Sequence, residues 1–239
     1  MCWKDMGFEP QMEQIMKTIP DERQTLLFTA TWPKAVQKLA RKYLREGAVH
    51  INIGETTDLA ANRAVVQEFH RLDDDEKEAM LWKIWDGLAP SDKMIVFANT
   101  KRRIDNLQKQ VLKGGYKCAA MHGDKTQKER DDSLSRFVSG QVNVLFATDV
   151  CARGLDISDV THVINFDMAR DVESYVHRIG RTGRAGKAGR SITFFNDAYD
   201  MECAPALAKI AQEAGQVVPE FLEAAAKKGG KVKNKGWKY

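Results

Sequence analysis

The sequence predicts an α/β fold in which a parallel sheet is flanked by helices, and two patterns predict it. Short apolar runs of four to six residues, mostly rich in Val, Ile and Phe, recur along the chain. Amphipathic stretches of helical length separate them. Runs without polar alternation suit strands covered on both faces, and their alternation with helices is the signature of a doubly wound sheet.

The elements follow in order. Predicted strands are Thr25–Phe28, Val49–Ile53, Val65–Phe69, Met94–Phe97, Cys118–Met121, Val142–Ala147, His162–Phe166 and Ser191–Phe195. Predicted helices are Pro33–Arg45, Asp75–Gly87, Lys101–Leu112, Gln127–Val138 and Val172–Arg178, with Asp197–Ala214 after the last strand. In Lys101–Leu112, Ile104, Leu107 and Val111 fall on one face at spacings of three and four. Gly54–Arg63 (GETTDLAANR) breaks the rhythm, with Leu59 its only bulky apolar residue. It reads as a linker over residues 54–64. Residues 1–53 are too short for a domain and are expected to be the end of a larger one. Residues 65–226 make a whole domain, and residues 227–239 a basic, disordered tail.

Composition narrows the class. The 239 residues are 43% hydrophobic and 29% charged, which excludes a disordered chain and a collagen-like fibre. The four Cys are far apart and form no C-x-x-C, so neither a zinc site nor a disulfide framework is expected. No run reaches the roughly 18 apolar residues of a membrane span, and Met1–Pro10 has no signal-peptide core. The expectation is a nuclear or cytoplasmic protein, neither secreted nor membrane-bound. The formal charge of +4 is misleading, because six of the 37 basic residues are lysines within Lys227–Tyr239. The remaining 31 face 33 acids, so charge alone does not announce nucleic-acid binding by the body.

Four loops carry polar groups in patterns that bear on chemistry. In Tyr175–Gly186, Arg178, Arg181 and Arg184 are interleaved with Gly180, Gly183 and Gly186. Glycine permits tight turns and close approach, and guanidinium groups on such a turn can fork onto phosphate oxygens. Ala147–Asp156 (ATDVCARGLD) follows a strand, at the carboxyl end where open α/β sheets place ligands. Phe97–Arg103 also follows a strand, and Thr100 suits a helix N-cap there. His122–Arg130 sets Gln127 and Arg130 one turn apart at a helix start, where backbone N–H groups favour anions. Taken alone, the Arg/Gly loop reads equally as a solvated basic loop, and each of the other three reads better as an ordinary polar turn or helix cap. Gly123–Thr126 imitates the end of a P-loop, but Asp124 and Ala119 stand where that motif needs glycines.

Taken together and in order, these pieces resemble the C-terminal half of a DEAD-box ATP-dependent RNA helicase. The resemblance rests on Thr29-Ala30-Thr31, Ile95-Val96-Phe97 with Thr100, Gln127 with Arg130, Thr148-Asp149 through Arg153-Gly154-Leu155-Asp156, and His177 through Arg184. It runs from about Asp5 to about Ala226. Met6–Pro10 and Thr31-Trp32-Pro33 are most similar to the subgroup with an S/T-A-T-W-P motif. The resemblance implies a RecA-like parallel sheet (the helicase C-terminal domain), preceded by the last elements of a truncated first RecA-like domain. It implies ATP between two such domains and sequence-nonspecific RNA across both. By this carry-over Arg181, Arg184, Gly154 and His177 serve catalysis, and Asp156, Arg181 and Arg184 bind ATP. Thr100, Gly123, Gln127, Arg130 and Thr148 serve the RNA backbone, while Thr29, Thr31 and His177 couple the domains.

The family carries its P-loop and D-E-A-D box ahead of Met6-Gly7-Phe8, and neither occurs in this sequence. By spacing, Met1 aligns with the last Asp of D-E-A-D, and Trp3 and Lys4 replace an apolar pair, as a truncation or an artefactual start would produce. Mg²⁺ would be held mainly by the missing N-terminal domain, which is an expected partner together with protein cofactors. The expected function is part of an ATP-dependent RNA helicase, inactive alone. The alternative is a non-catalytic RecA-like module that binds RNA or docks a partner. A related DNA helicase is a third reading, against which the H-R-I-G-R-T-G-R and T-A-T-W-P forms argue.

Overall fold

A computed structural model describes residues 9–29, 32, 34–52, 61–152, 157, 159–184 and 186–229. The chain divides into two compact units, Met1–Leu59 and Ala60–Tyr239.

In the first unit, helices α1 (Glu9–Thr18) and α2 (Lys34–Tyr43) are joined by a Lys42–Glu13 ion pair. Val36 and Ala40, one turn apart, are the buried positions of α2. Among the described residues, the expected strands at Thr25–Phe28 and residues 49–52 do not form. Phe28 is 89% exposed and Val49 86% exposed. Apolar composition makes a run fit for a strand, but a strand exists only in a ladder, and no described segment pairs with either run.

The second unit is a six-stranded sheet, β1 (Val65–Arg71), β2 (Met94–Phe97), β3 (Ala119–Met121), β4 (Val144–Ala147), β5 (His162–Asn165) and β6 (Gly189–Phe195). Its order is β1-β6-β5-β2-β4-β3 and every pairing is parallel. The six-strand run expected here is therefore present, with β2, β4 and β5 buried at every position. Alternate residues feed two cores. Met94, Val96, Val144 and Phe146 point to one face. There they meet Leu81 of α3 (Lys77–Asp86) and Ile104, Leu107 and Val111 of α4 (Lys101–Lys113). Ile95, Phe97 and Leu145 point to the other, against Phe137 of α5 (Gln127–Val138).

Five further elements finish the unit's carboxyl half. The short helix α6 (Asp149–Ala152) follows β4, and α7 (Val172–Ile179) links β5 to β6. The predicted single helix over Asp197–Ala214 is a 3-10 turn, Met201–Cys203, followed by α8 (Ala204–Glu213). Helix α9 (Glu220–Gly229) lies where the sequence pattern fades. Leu222 and Ala225 of α9 are buried, and Phe221 meets the Phe195 ring at 6.0 Å. Lys227 and Lys228, expected in a disordered tail, occupy the last turn of α9, where cations suit the exposed carbonyls.

Candidate functional site

The carboxyl ends of β2, β4 and β3, adjacent in the sheet, each begin a polar turn. At β2, Thr100 caps α4, its Oγ1 accepting from Arg103 N at 3.2 Å. At β4, Thr148 N donates to Met121 O at 3.2 Å, which ties this turn to β3. At β3, His122 and Gly123 lead to Thr126, which caps α5 in a capping box with Glu129. The Thr126 hydroxyl hydrogen-bonds the Glu129 carboxylate at 2.7 Å and, with the Thr126 backbone N–H, holds that carboxyl below its usual range. This cap fixes the first turn of α5, which carries Gln127 and Arg130. Gln127 Nε2 donates to Asp131 at 2.7 Å. The Nε of Arg130 is buried without a hydrogen-bond partner among the described residues. Thr100, Thr148, Gly123, Gln127 and Arg130 are thus brought to one end of one sheet, on strands spaced by about 4.8 Å. Hydroxyl, amide, guanidinium and helix-start N–H groups are the donors that a phosphate-sugar backbone accepts.

Arg178 organises this end from beneath. The sequence reading placed it with Arg181 and Arg184 as a group free to fork onto phosphate, but it is 1% exposed. Its Nε and NH2 donate to the two carboxylate oxygens of Asp149 at 2.6 and 2.8 Å. NH2 also donates to Asn99 Oδ1 at 2.7 Å, and NH1 to Asp167 O at 2.7 Å. The guanidinium carbon lies 5.2 Å from the centre of the Phe97 ring. One side chain of α7 therefore ties together the turns after β2, β4 and β5. The correction has a physical cause: Asp149 supplies a fixed bidentate acceptor that a solvated loop would lack.

Asn99 belongs to this site although no motif marks it. Its N–H donates to Asp167 Oδ2 at 2.9 Å, its Nδ2 to Met168 O at 2.8 Å, and its Oδ1 accepts from Arg178. His122 joins it as a second residue without a motif role: its Nε2 is 2.9 Å from Asp105 Oδ1, and its ring is buried. The only sequence signal for either was a polar residue at a strand's carboxyl end.

Arg181 and Arg184 lie elsewhere. They follow α7 at the amino ends of the strands, where Thr182 Oγ1 donates to Val160 O at 2.6 Å, just before β5. Asn62 Nδ2 donates to Gly183 O at 2.7 Å, just before β1. Arg181 Nε donates to His177 O at 3.0 Å and Arg184 Nε to Gly180 O at 2.8 Å, which lays both side chains back along the helix. Glycine is required at two positions here, Gly183 in the turn and Gly189 at the start of β6. Gly183 has φ +69° and leaves only 2.5 Å between a would-be Cβ and Val65, and a Cβ on Gly189 would meet Thr182 Oγ1 at 2.1 Å. Among the described residues no carboxylate cluster could hold Mg²⁺.

Gly154, Asp156 and Thr31 lie outside the described residues, as do Met6-Gly7-Phe8 and residues 230–239. Thr29 belongs to the first unit. Two buried thiols are set apart from chemistry: burial raises Cys118 to about 11 and also pushes Cys203 up. No helix among the described residues is long and apolar enough to cross a membrane.

Comparison with known proteins gives a consistent picture. Residues 76–186 match the model of the helicase conserved C-terminal domain. The chain is 47% identical over 231 residues to DEAD-box ATP-dependent RNA helicase 14 of Arabidopsis thaliana, covering 97% of this chain and 37% of that protein. It is 44% identical over 227 residues to ATP-dependent RNA helicase p62 of Drosophila melanogaster, covering 93% and 31%. It thus spans about a third of the length of these relatives. Among solved structures it is similar to S. cerevisiae Dbp5 bound to RNA and ADP BeF3, with a TM-score of 0.71, 28% identity, and 93% of this chain and 59% of that one covered. It is also similar to the E. coli DEAD-box protein SrmB bound to regulator of ribonuclease activity A, with a TM-score of 0.55, 33% identity, and 66% and 92% covered. The parallel sheet with its flanking helices is the RecA-like architecture of these neighbours, and the chain belongs to the DEAD-box ATP-dependent RNA helicase family, carrying its helicase C-terminal domain.

Proposed function

We propose that the chain is the part of an ATP-dependent RNA helicase that holds the RNA backbone and supplies arginines to the nucleotide. The observation that carries this reading is the row of Thr100, Thr148, Gly123, Gln127 and Arg130 on three adjacent strand ends. Contacts of that kind grip phosphate and sugar without reading bases, and a 2′-hydroxyl contact separates RNA from DNA. ATP supplies the phosphoryl group whose hydrolysis drives the cycle. Arg181 and Arg184 hold positive charge toward its phosphate tail, Asp156 accepts a ribose hydroxyl, and Gly154 offers backbone near the attacking water. Positioned charge is the main help that phosphoryl transfer needs.

In this reading residues 1–53 are the end of a first RecA-like domain, residues 54–64 a linker, and His177, Thr29 and Thr31 couple the two domains. The Mg²⁺ ligands and P-loop belong to the N-terminal RecA-like domain, so the chain alone is not competent for hydrolysis. Local duplex separation or RNP remodelling follows from closing and opening the two domains on one RNA strand. A second reading, a non-catalytic module that docks a protein, is favoured by the SrmB neighbour, which is bound to a regulator protein.

The test mixes the purified chain with a separately produced N-terminal RecA-like domain from a relative and measures RNA-stimulated phosphate release. The chain alone gives none, and the mixture turns over ATP. Arg181→Ala in the mixture lowers turnover by about 10³-fold. Release by the chain alone, or turnover indifferent to Arg181, would overturn the proposal.

A further inference from the structure

Several cations around the carboxyl end of the sheet are neutralised within the protein. Lys77 is 3.2 Å from Asp74 and 3.9 Å from Asp167, Lys101 is 2.5 Å from Asp124, and Arg103 is 2.9 Å from Asp74. Arg178 is buried on Asp149. Arg170 differs. It is exposed, and among the described residues its guanidinium has one hydrogen bond, to Asn99 O at 3.3 Å, and no carboxylate partner.

Its place in the fold is fixed. Arg170 stands in the turn between β5 and α7, and β5 is the neighbour of β2 on the side away from β4. Asn99 binds that turn at two points, Asp167 Oδ2 and Met168 O, and Asp171 caps α7 by accepting from Ser174 N at 2.6 Å. The backbone under Arg170 is thereby tied to the residue just before Thr100. A long cation on a held turn, at the end of the strand next to that of Thr100, continues the row that starts at β3.

We propose that Arg170 is a phosphate-binding residue that extends the RNA track onto the end of β5. The inference rests on the RNA reading proposed above and adds a contact to it. Guanidinium can fork onto two phosphate oxygens, and each single-strand phosphate neutralised adds about 0.7 to the salt slope of binding.

The experiment titrates the purified full chain with a fluorescent single-stranded oligouridylate at several salt concentrations. Arg170→Gln, Arg170→Lys and Arg130→Gln are compared with the unaltered chain, and thermal melts check that each is folded. Arg170→Gln is expected to bind about 3- to 10-fold more weakly at low salt and to lower the log–log salt slope by about 0.7, with Arg170→Lys recovering most of the slope. Binding by Arg170→Gln equal to the unaltered chain, while Arg130→Gln loses affinity, overturns the role of Arg170 and leaves the RNA reading standing. No binding by the unaltered chain, or no loss in either variant, overturns both.

Discussion

Arg178 commits its guanidinium to the protein: a bidentate pair with Asp149, the side chain of Asn99 and the carbonyl of Asp167. Removing it strands a carboxylate that is itself only 16% exposed. Loss of one partner of a buried pair costs about 3–5 kcal/mol. Arg178→Ala is therefore expected to lower the urea midpoint of the chain by that equivalent. Arg178→Lys recovers little, because an ammonium lacks the planar fork. Adding Asp149→Asn to Arg178→Ala should restore part of the loss, and a double variant no better than the single one would refute the account. The sequence displayed Arg178 inside a run of arginines and glycines, where spacing made it look like Arg181 and Arg184, which are only half-buried. Its partners lie 29 and 79 residues away along the chain, and no local pattern carries that distance. Thr100 was easier to read, because a helix cap is decided within four residues.

At the scale of elements, legibility followed the same division between local and distant causes. Strands β2 and β4 are continuous apolar runs because helices cover both faces, so their sequence states their burial directly. Thr25–Phe28 has the same composition and no ladder among the described residues, since pairing is decided by what lies alongside. Helix α9 shows the opposite failure. Its segment, Glu-Phe-Leu-Glu-Ala-Ala-Ala-Lys-Lys-Gly, has two bulky apolar residues, and Ala225 is buried without helping to form a visible stripe. Leu222 is fully buried all the same. Leu222→Ala should destabilise the second unit by about 2–5 kcal/mol, read as a shift in its denaturation midpoint. Val217→Ala, at a position 87% exposed, serves as the control and should leave the midpoint within about 0.5 kcal/mol. Equal effects of the two would mean that α9 does not pack as described.

Across the second unit the candidate residues divide between the two ends of one sheet. Thr100, Thr148, Gln127 and Arg130 are at the carboxyl ends, and Arg181 and Arg184 are beside the amino ends of β5 and β1. Strand β5 has four residues, so the two ends are about 13 Å apart. That is more than a Debye length of about 8 Å at physiological salt. A charge lost at one end is therefore largely screened from a phosphate bound at the other. Helix α7 spans the gap, with Arg178 reaching back to the carboxyl end and Arg181 following its last turn. This arrangement makes the two proposed activities separable in the isolated chain and coupled in an assembled enzyme. Arg181→Ala should leave the affinity of the chain for single-stranded RNA within about two-fold at physiological salt. Arg130→Ala should weaken it and reduce the salt slope by about 0.7. In the reconstituted mixture with an N-terminal RecA-like domain, both variants should lower RNA-stimulated turnover: Arg181→Ala at saturating RNA, and Arg130→Ala chiefly through the RNA concentration that is needed. Fluorescence anisotropy and phosphate release measure the two halves of this prediction independently. If Arg181→Ala weakened RNA binding by the chain alone as much as Arg130→Ala does, the division between the two ends would fail.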